Sequence, residues 1–305
     1  MDRKDHIDTF GAISLIAFSG LLGLNQVLMK IVNGGMQPVF QAGLRSLCAF
    51  PVLLIFALIM KRKLSIKEGT LLPGLFTGCL FALEFILLFK ALDFTTVARA
   101  SIFFYTMPFW VAVGAHFLIP GERLNLVRFM GLGLAFFGVA IALSQNSQPA
   151  TDFALIGDLM CLIGAMGWAG IALTTRTTNF KNAGPEMQLL YQLAVSAPIM
   201  LFAALYFGPL IRDLQPFHWA IFSFQVVVVV AFGFSFWFWL LSKYPASNMA
   251  SFGFLAPVFG VFFGWAILDE PVGPTLILAL VLVGTGIVLV NRTSRAKKQA
   301  PEAPK

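Results

Sequence analysis

Arg45, Glu84 and Arg99 are ionisable side chains set inside long apolar runs of this 305-residue chain. Placing such groups among hydrocarbon is expensive, so each either has a function or needs a partner. Glu84 is flanked by Phe81, Phe85 and Ile86. A carboxylate there suits a proton site or a contact to a substrate ammonium group. It could equally be a structural partner of Arg45 or Arg99, or face a wet vestibule. Arg45 can hold a carboxylate with both arms of its guanidinium; the competing reading has it capping carbonyls or holding Glu84. Asn25, Gln26 and Tyr105 fall at comparable depth. Counting along helices at about 1.5 Å per residue puts these groups in one layer, roughly 6–15 Å below one membrane surface.

Other chemistries find no constellation. Each of the three histidines lies in a different segment or loop, and no HExxH or nucleophile–base arrangement is present. Cys48, Cys79 and Cys161 sit in apolar stretches without ligand spacing and read as small packing residues. No phosphate-binding loop occurs, so ATP is not the direct energy source. The expectation is therefore a protein that is not an enzyme and needs no metal or cofactor.

The elements that must position these residues are membrane helices. Hydrophobic residues make up 58% of the chain and charged ones 11%, against about 25% charge in a soluble domain. Ten apolar segments are long enough, or nearly so, to cross a bilayer: 11–32, 37–60, 69–91, 95–119, 125–144, 153–175, 184–206, 217–241, 245–268 and 272–291. They lack the alternation of a barrel, so the expected fold is all-α and integral to the membrane, with ten transmembrane helices.

The net charge of +7 reports topology rather than nucleic-acid binding, because the basic residues are spread over loops and form no patch. With the amino terminus in the cytoplasm, sixteen of the 21 Lys and Arg residues fall on the cytoplasmic side. Four (Lys30, Lys90, Arg99 and Arg212) fall opposite, and Arg45 lies within a segment. That is a positive-inside bias with both termini cytoplasmic. Lys30 and Lys90, at segment ends, read as snorkelling to the interface. No signal peptide is evident, and residues 293–305 read as a disordered basic tail.

The chain is doubled. Residues 98–122 (ARASIFFYTMPFWVAVGAHFLIPGE) and 248–270 (NMASFGFLAPVFGVFFGWAILDE) share an Ala-Ser, a proline inside an apolar run, and a closing Glu. Pro38 and Arg45 are spaced as Pro185 and Gln192 are, and Lys30 aligns with Arg176. The halves are 1–146 and 152–292. Five segments is an odd number, so the second half enters the membrane from the opposite face, giving two inverted five-helix repeats. Pro108 and Pro257 each remove a hydrogen bond within a helix, as a hinge or gate or as a static packing kink. Arg45, Glu84 and Arg99 match Gln192, Phe234 and Met249, so the charged layer belongs to the first half. The polar Asn248 and Ser251 of the second copy join the candidate binding residues. So do Tyr105, Trp168 and Trp237, whose polar edges want partners.

On these residues the chain resembles the drug/metabolite transporter superfamily, in its EamA-type branch. The resemblance spans nearly all of 11–291. It rests on Gly23-Leu24-Asn25-Gln26 with Lys30, Pro38 with Arg45, and Thr95-Thr96 with Ala100-Ser101. It rests further on Pro108 with Gly121-Glu122 and on Pro257 with Asp269-Glu270. The chain departs from the family at Leu22, where Trp is frequent, and at Asp269-Glu270, where Gly-Glu is frequent. The resemblance implies two repeats around a central cavity and export of small metabolites, often amino acids or their relatives.

The reading is a secondary active exporter of amino acids or related compounds in the inner or plasma membrane, working by alternating access. Its partners are a small-molecule substrate and the lipid bilayer, with proton coupling and simple facilitated flow as the two open alternatives and the chain a monomer or homodimer. The alternatives are an uptake permease, a multidrug or cationic drug efflux transporter, and a non-transporting membrane receptor or scaffold.

Overall fold

Asp8 starts the first helix by accepting a hydrogen bond from Gly11 N at 2.8 Å, the ordinary role of an N-cap carboxylate. In the computed structural model, which describes residues 7–62, 64, 66, 69–120, 126–144, 153–244, 249, 252 and 255–299, this helix α1 spans Thr9–Gly35. Gln37 then caps α2 (Pro38–Ile59) through Phe40 N, with Pro38 at the first turn, where its missing N–H costs nothing. Next come α3 (Leu71–Ala91), α4 (Val97–Phe104), α5 (Met107–Leu118) and α6 (Leu126–Ser144). The second half holds α7 (Ala154–Thr177), α8 (Pro185–Ala204) and α9 (Pro216–Phe224). A π-helical stretch, Gln225–Gly233, joins α9 to α10 (Phe234–Lys243). The chain continues with α11 (Leu255–Leu268) and α12 (Pro274–Gln299).

Among the described residues, six helical segments are long and apolar enough to cross a membrane, counting α4 and α5 as one, and four shorter apolar helices of 10–17 residues fall in the other expected spans. Among the described residues the only β contact is an isolated bridge between Met36 and Ile211. Large apolar side chains such as Leu72, Phe117, Leu126 and Phe136 are exposed, as a lipid-facing surface requires.

The packing repeats with the halves exchanged. In the first half α1 packs on α11, and its counterpart α7 packs on α4 and α5. α3 packs on α8, while the π stretch packs on α2. α2 lies against α8 and α6 against α12, each helix meeting its own counterpart. Glycines permit the closest approaches. A methyl on Gly43 of α2 would sit 2.9 Å from Leu201 N of α8, and one on Gly23 of α1 would sit 2.7 Å from Gly260 N of α11. Gly74 and Gly78 similarly admit Tyr191 and Val195 of α8, in keeping with a small-residue packing face.

Three expectations change. Pro108 is not inside a continuous helix: the 95–119 segment breaks at Tyr105 and Thr106, and Pro108 is the second residue of α5. Pro257 is the third described residue of α11, and residues 253 and 254 before it lie outside the described ones. A first-turn proline sacrifices no intrahelical bond, which is why it is accommodated there. The prolines within helices are Pro51 of α2 and Pro198 of α8, another matched pair. Residues 293–299, expected to be disordered, continue α12 to Gln299; Arg295, Ala296, Lys297 and Lys298 are good helix formers.

Candidate functional site

Arg45 is buried on α2, and its guanidinium carbon lies 4.7 and 4.8 Å from the ring centroids of Phe85 and Phe89 on α3. Such placement over aromatic rings attracts a cation but fills none of its N–H donors with oxygen. Its hydrogen-bond contact is the soft sulfur of Met29 on α1, at 3.8 Å. Glu84, one position before Phe85, is also buried, and its Oε2 has no hydrogen-bond partner. The two charges act on each other. Yet no ion-pair contact joins them among the described residues, where other pairs close to about 3 Å. Each is thus near its natural partner and not satisfied by it.

The polar layer continues on α1 and the π stretch. Gln225 Nε2 donates to Asn25 Oδ1 at 3.1 Å, and Gln41 Nε2 donates to Gln225 Oε1 at 3.2 Å. Gln41 and Arg45 are one turn apart on one face of α2. Gln26 accepts from Ser101 of α4, while its own Nε2 is buried and unpartnered. Met29 is one turn from both Asn25 and Gln26, which ties the amides to the Arg45 level. Behind Glu84 stands an aromatic group. Phe104 stacks on Trp168 at 5.3 Å, and Tyr105 meets Trp168 edge-on at 6.1 Å. Gly164 and Gly167 of α7 bring that group against α3: methyls there would lie 3.5 Å from both Glu84 O and the Phe104 ring, and 3.6 Å from Glu84 Cβ.

The expected residues therefore divide. Asn25, Gln26, Arg45 and Glu84 come together, and Tyr105 and Trp168 form the adjoining wall. Arg99 does not join them: its Nε donates to Asp158 Oδ2 at 3.1 Å and Oδ1 at 3.3 Å, and Nη2 also binds Asp158. Asp158 is fully buried and takes a further bond from Thr95 Oγ1 at 2.7 Å. Nε and Nη2 of Arg99 are thus both engaged by Asp158. Trp237 stacks on Phe18 at 5.1 Å, in a separate apolar cluster with Leu15, Leu240, Tyr244 and Met249. Asn248 and Ser251 lie outside the described residues.

Other residues of this layer carry weaker sequence signals. Gln41 and Gln225 have no charge, and an isolated amide in an apolar run is the only mark they leave. Asp158 stands near a helix start, where an acidic residue is ordinary. It also corrects the view that the charged layer belongs to the first half, since the second half supplies the partner of Arg99. Lys30 does not snorkel. Its Nζ donates to Glu270 Oε1 at 3.0 Å and to Thr95 O at 2.8 Å. Glu270 in turn accepts from Val97 N at 2.8 Å and Ala98 N at 3.0 Å, capping α4. Nearby, Arg212 binds Asp93 at 2.7 Å and Asn33 O at 2.8 Å. These ties gather α1, α4 and the loops after α3, α8 and α11 at one end of the bundle.

A duplicated helical bundle with a buried, incompletely paired polar layer between its halves defines a membrane transporter. The EamA-like transporter family matches residues 9–144 and 155–292, one match per repeat, and the chain belongs to that family, whose members are transporters and not enzymes. It is 27% identical over 289 residues to the uncharacterized transporter YoaV of Bacillus subtilis, covering 94% of this chain and 98% of that protein. It is 29% identical over 299 residues to a probable amino-acid metabolite efflux pump of Escherichia coli, covering 95% of each. A protein crystal structure superposes with a TM-score of 0.66 over 93% of this chain and 98% of that one; at 17% identity it speaks for the fold alone.

Proposed function

We propose that the protein exports small amino-acid-like zwitterions across the cell membrane by alternating access, with both termini in the cytoplasm. One observation carries the reading: Arg45 and Glu84 are buried on neighbouring helices, opposite in charge, and not joined to each other. A molecule bearing a carboxylate and an ammonium group supplies what each lacks. Arg45 takes the carboxylate by its planar fork, and Glu84 takes the ammonium. The wall of Phe104, Tyr105 and Trp168 favours an apolar or aromatic side chain. Export is favoured by the name of the Escherichia coli relative, a probable amino-acid metabolite efflux pump. Glu84 also serves as the site through which a proton gradient drives exchange, because a buried carboxylate can alternate between proton and substrate.

The test is flux into inside-out vesicles with labelled amino acids and cationic drugs, with and without a pH gradient. Saturable amino-acid uptake that responds to the gradient is the expected result. Saturable uptake of drugs alone would replace the substrate class, and absence of any flux by folded protein would favour a receptor or scaffold.

A further inference from the structure

Three amides form a directed chain across three elements. Asn25 Oδ1 accepts from Gln225, Gln225 Oε1 accepts from Gln41, and the chain ends at Gln41 Oε1. That last oxygen is buried, on a residue with no exposure, and has no partner. Leaving a buried acceptor unmade is unfavourable, and native interiors rarely do so without a reason. Arg45 lies one turn along the same face of α2. Gln41 therefore presents an acceptor beside the group that would hold a substrate carboxylate. In an α-amino acid, the group next to the carboxylate is an ammonium with three N–H donors. Glu84 can take one of them, and a second acceptor fits another.

We propose that Gln41 is a specificity-determining residue that contacts the substrate, its Oε1 receiving an N–H of the α-ammonium group. Gln225 is its positioning residue. This rests on the proposed amino-acid site at Arg45 and Glu84. Gln225 acts by accepting one N–H of the Gln41 amide, which fixes its orientation and leaves the oxygen to face the ligand. It stands at the first residue of the π-helical stretch, a helical form that recurs at functional positions. The consequence is discrimination by the amino group: the site accepts an amino acid and rejects the same carbon skeleton without its nitrogen. A carboxylic acid bound by Arg45 alone would leave both Glu84 and Gln41 without donors.

The experiment uses the purified full-length protein. Each of the twenty L-amino acids is tested for thermal stabilisation, and the best binder is compared with its deaminated acid by competition binding. Gln41→Met keeps the side-chain volume and removes both amide atoms. It is expected to weaken amino-acid binding about tenfold, the order of one lost hydrogen bond to a charged group, while the deaminated acid is unchanged within about twofold. Gln41→Glu retains an acceptor whichever way Gln225 turns, so it keeps or tightens amino-acid binding and weakens the deaminated acid. Gln225→Leu frees the Gln41 amide to rotate and lowers the same selectivity ratio without contacting the ligand. A merely structural role would weaken both ligands alike. Equal losses for the two ligands, or unchanged selectivity in folded Gln41→Met and Gln41→Glu proteins, overturn the assignment and leave the proposed function standing. Absence of binding by all twenty amino acids to folded wild-type protein overturns the proposed function and this assignment together.

Discussion

Asp158, fully buried near the start of α7, holds Arg99 of α4 through two carboxylate oxygens and takes Thr95 as a third donor. Removing one member of such a pair strands the other charge away from water. Asp158→Ala is expected to cost about 3–5 kcal/mol, read as a fall in thermal midpoint in detergent. Arg99→Gln should also destabilise, yet leave the relative affinities of different substrates as they are. A selective change in substrate preference would return Arg99 to the binding site.

Glu270 and Lys30 behave as a unit with the amino end of α4. Glu270→Ala removes the acceptor for Lys30, Val97 N and Ala98 N together. The loss should be about 3 kcal/mol or more. Lys30→Met combined with Glu270→Gln should be milder than the sum of the two single changes, because the charges are removed together. Strict additivity in thermal unfolding would show that the contact carries no coupling.

Arg45 and Glu84 are tested by near-isosteric change. Arg45→Lys keeps the charge and loses the planar fork, so affinity for the transported amino acid should fall by about tenfold or more. Glu84→Gln keeps the shape and removes the ionisable group. It should abolish the response of flux to a pH gradient while the fold holds. Survival of that response would assign Glu84 to structure.

Asp269 has a φ of 53°, in the left-handed region where a side chain is strained and glycine is free. Asp tolerates it better than most residues. Asp269→Val should therefore cost about 1–2 kcal/mol, while Asp269→Gly should be neutral or stabilising. A Val variant with an unchanged melting temperature would show that the turn relaxes. The geometry accounts for the glycine frequent in the Asp269-Glu270 motif and for the tolerance of aspartate: the turn needs a residue that accepts positive φ, which glycine does freely and aspartate at some cost.

The duplication was legible because membrane helices must be long and apolar and because matched residues recur in the same order in the two halves. Pro38 with Pro185, Pro108 with Pro257, Lys30 with Arg176 and the Ala-Ser and Glu of the repeated motif align the halves by their shared order. The helix break before Pro108 was not legible. Composition marks 95–119 as one apolar run, and only the backbone distinguishes a kink from an interruption at Tyr105 and Thr106. At the site, Arg45 and Glu84 stood out because charge in an apolar run is conspicuous. Which charges pair depends on contacts between distant segments. Arg99 and Asp158 are 59 residues apart, and Lys30 and Glu270 are 240 apart. No local pattern separates the satisfied Arg99 from Arg45, although both are arginines inside apolar segments. The amides Gln41 and Gln225 were hidden for a different reason, since their significance lies in a hydrogen bond that is not made.

Glu270 sets a condition on biogenesis. The backbone N–H groups of Val97 and Ala98 and the amine of Lys30 emerge from the ribosome some 170 residues or more before the carboxylate that satisfies them. Through that interval the first repeat has Thr96 as the side-chain cap of α4, with the Val97 and Ala98 amides and Lys30 still without their carboxylate. Synthesised alone, residues 1–146 would lack that acceptor permanently. The two repeats share one fold, and the start of the fourth span in the earlier is completed by the loop between α11 and α12 of the later.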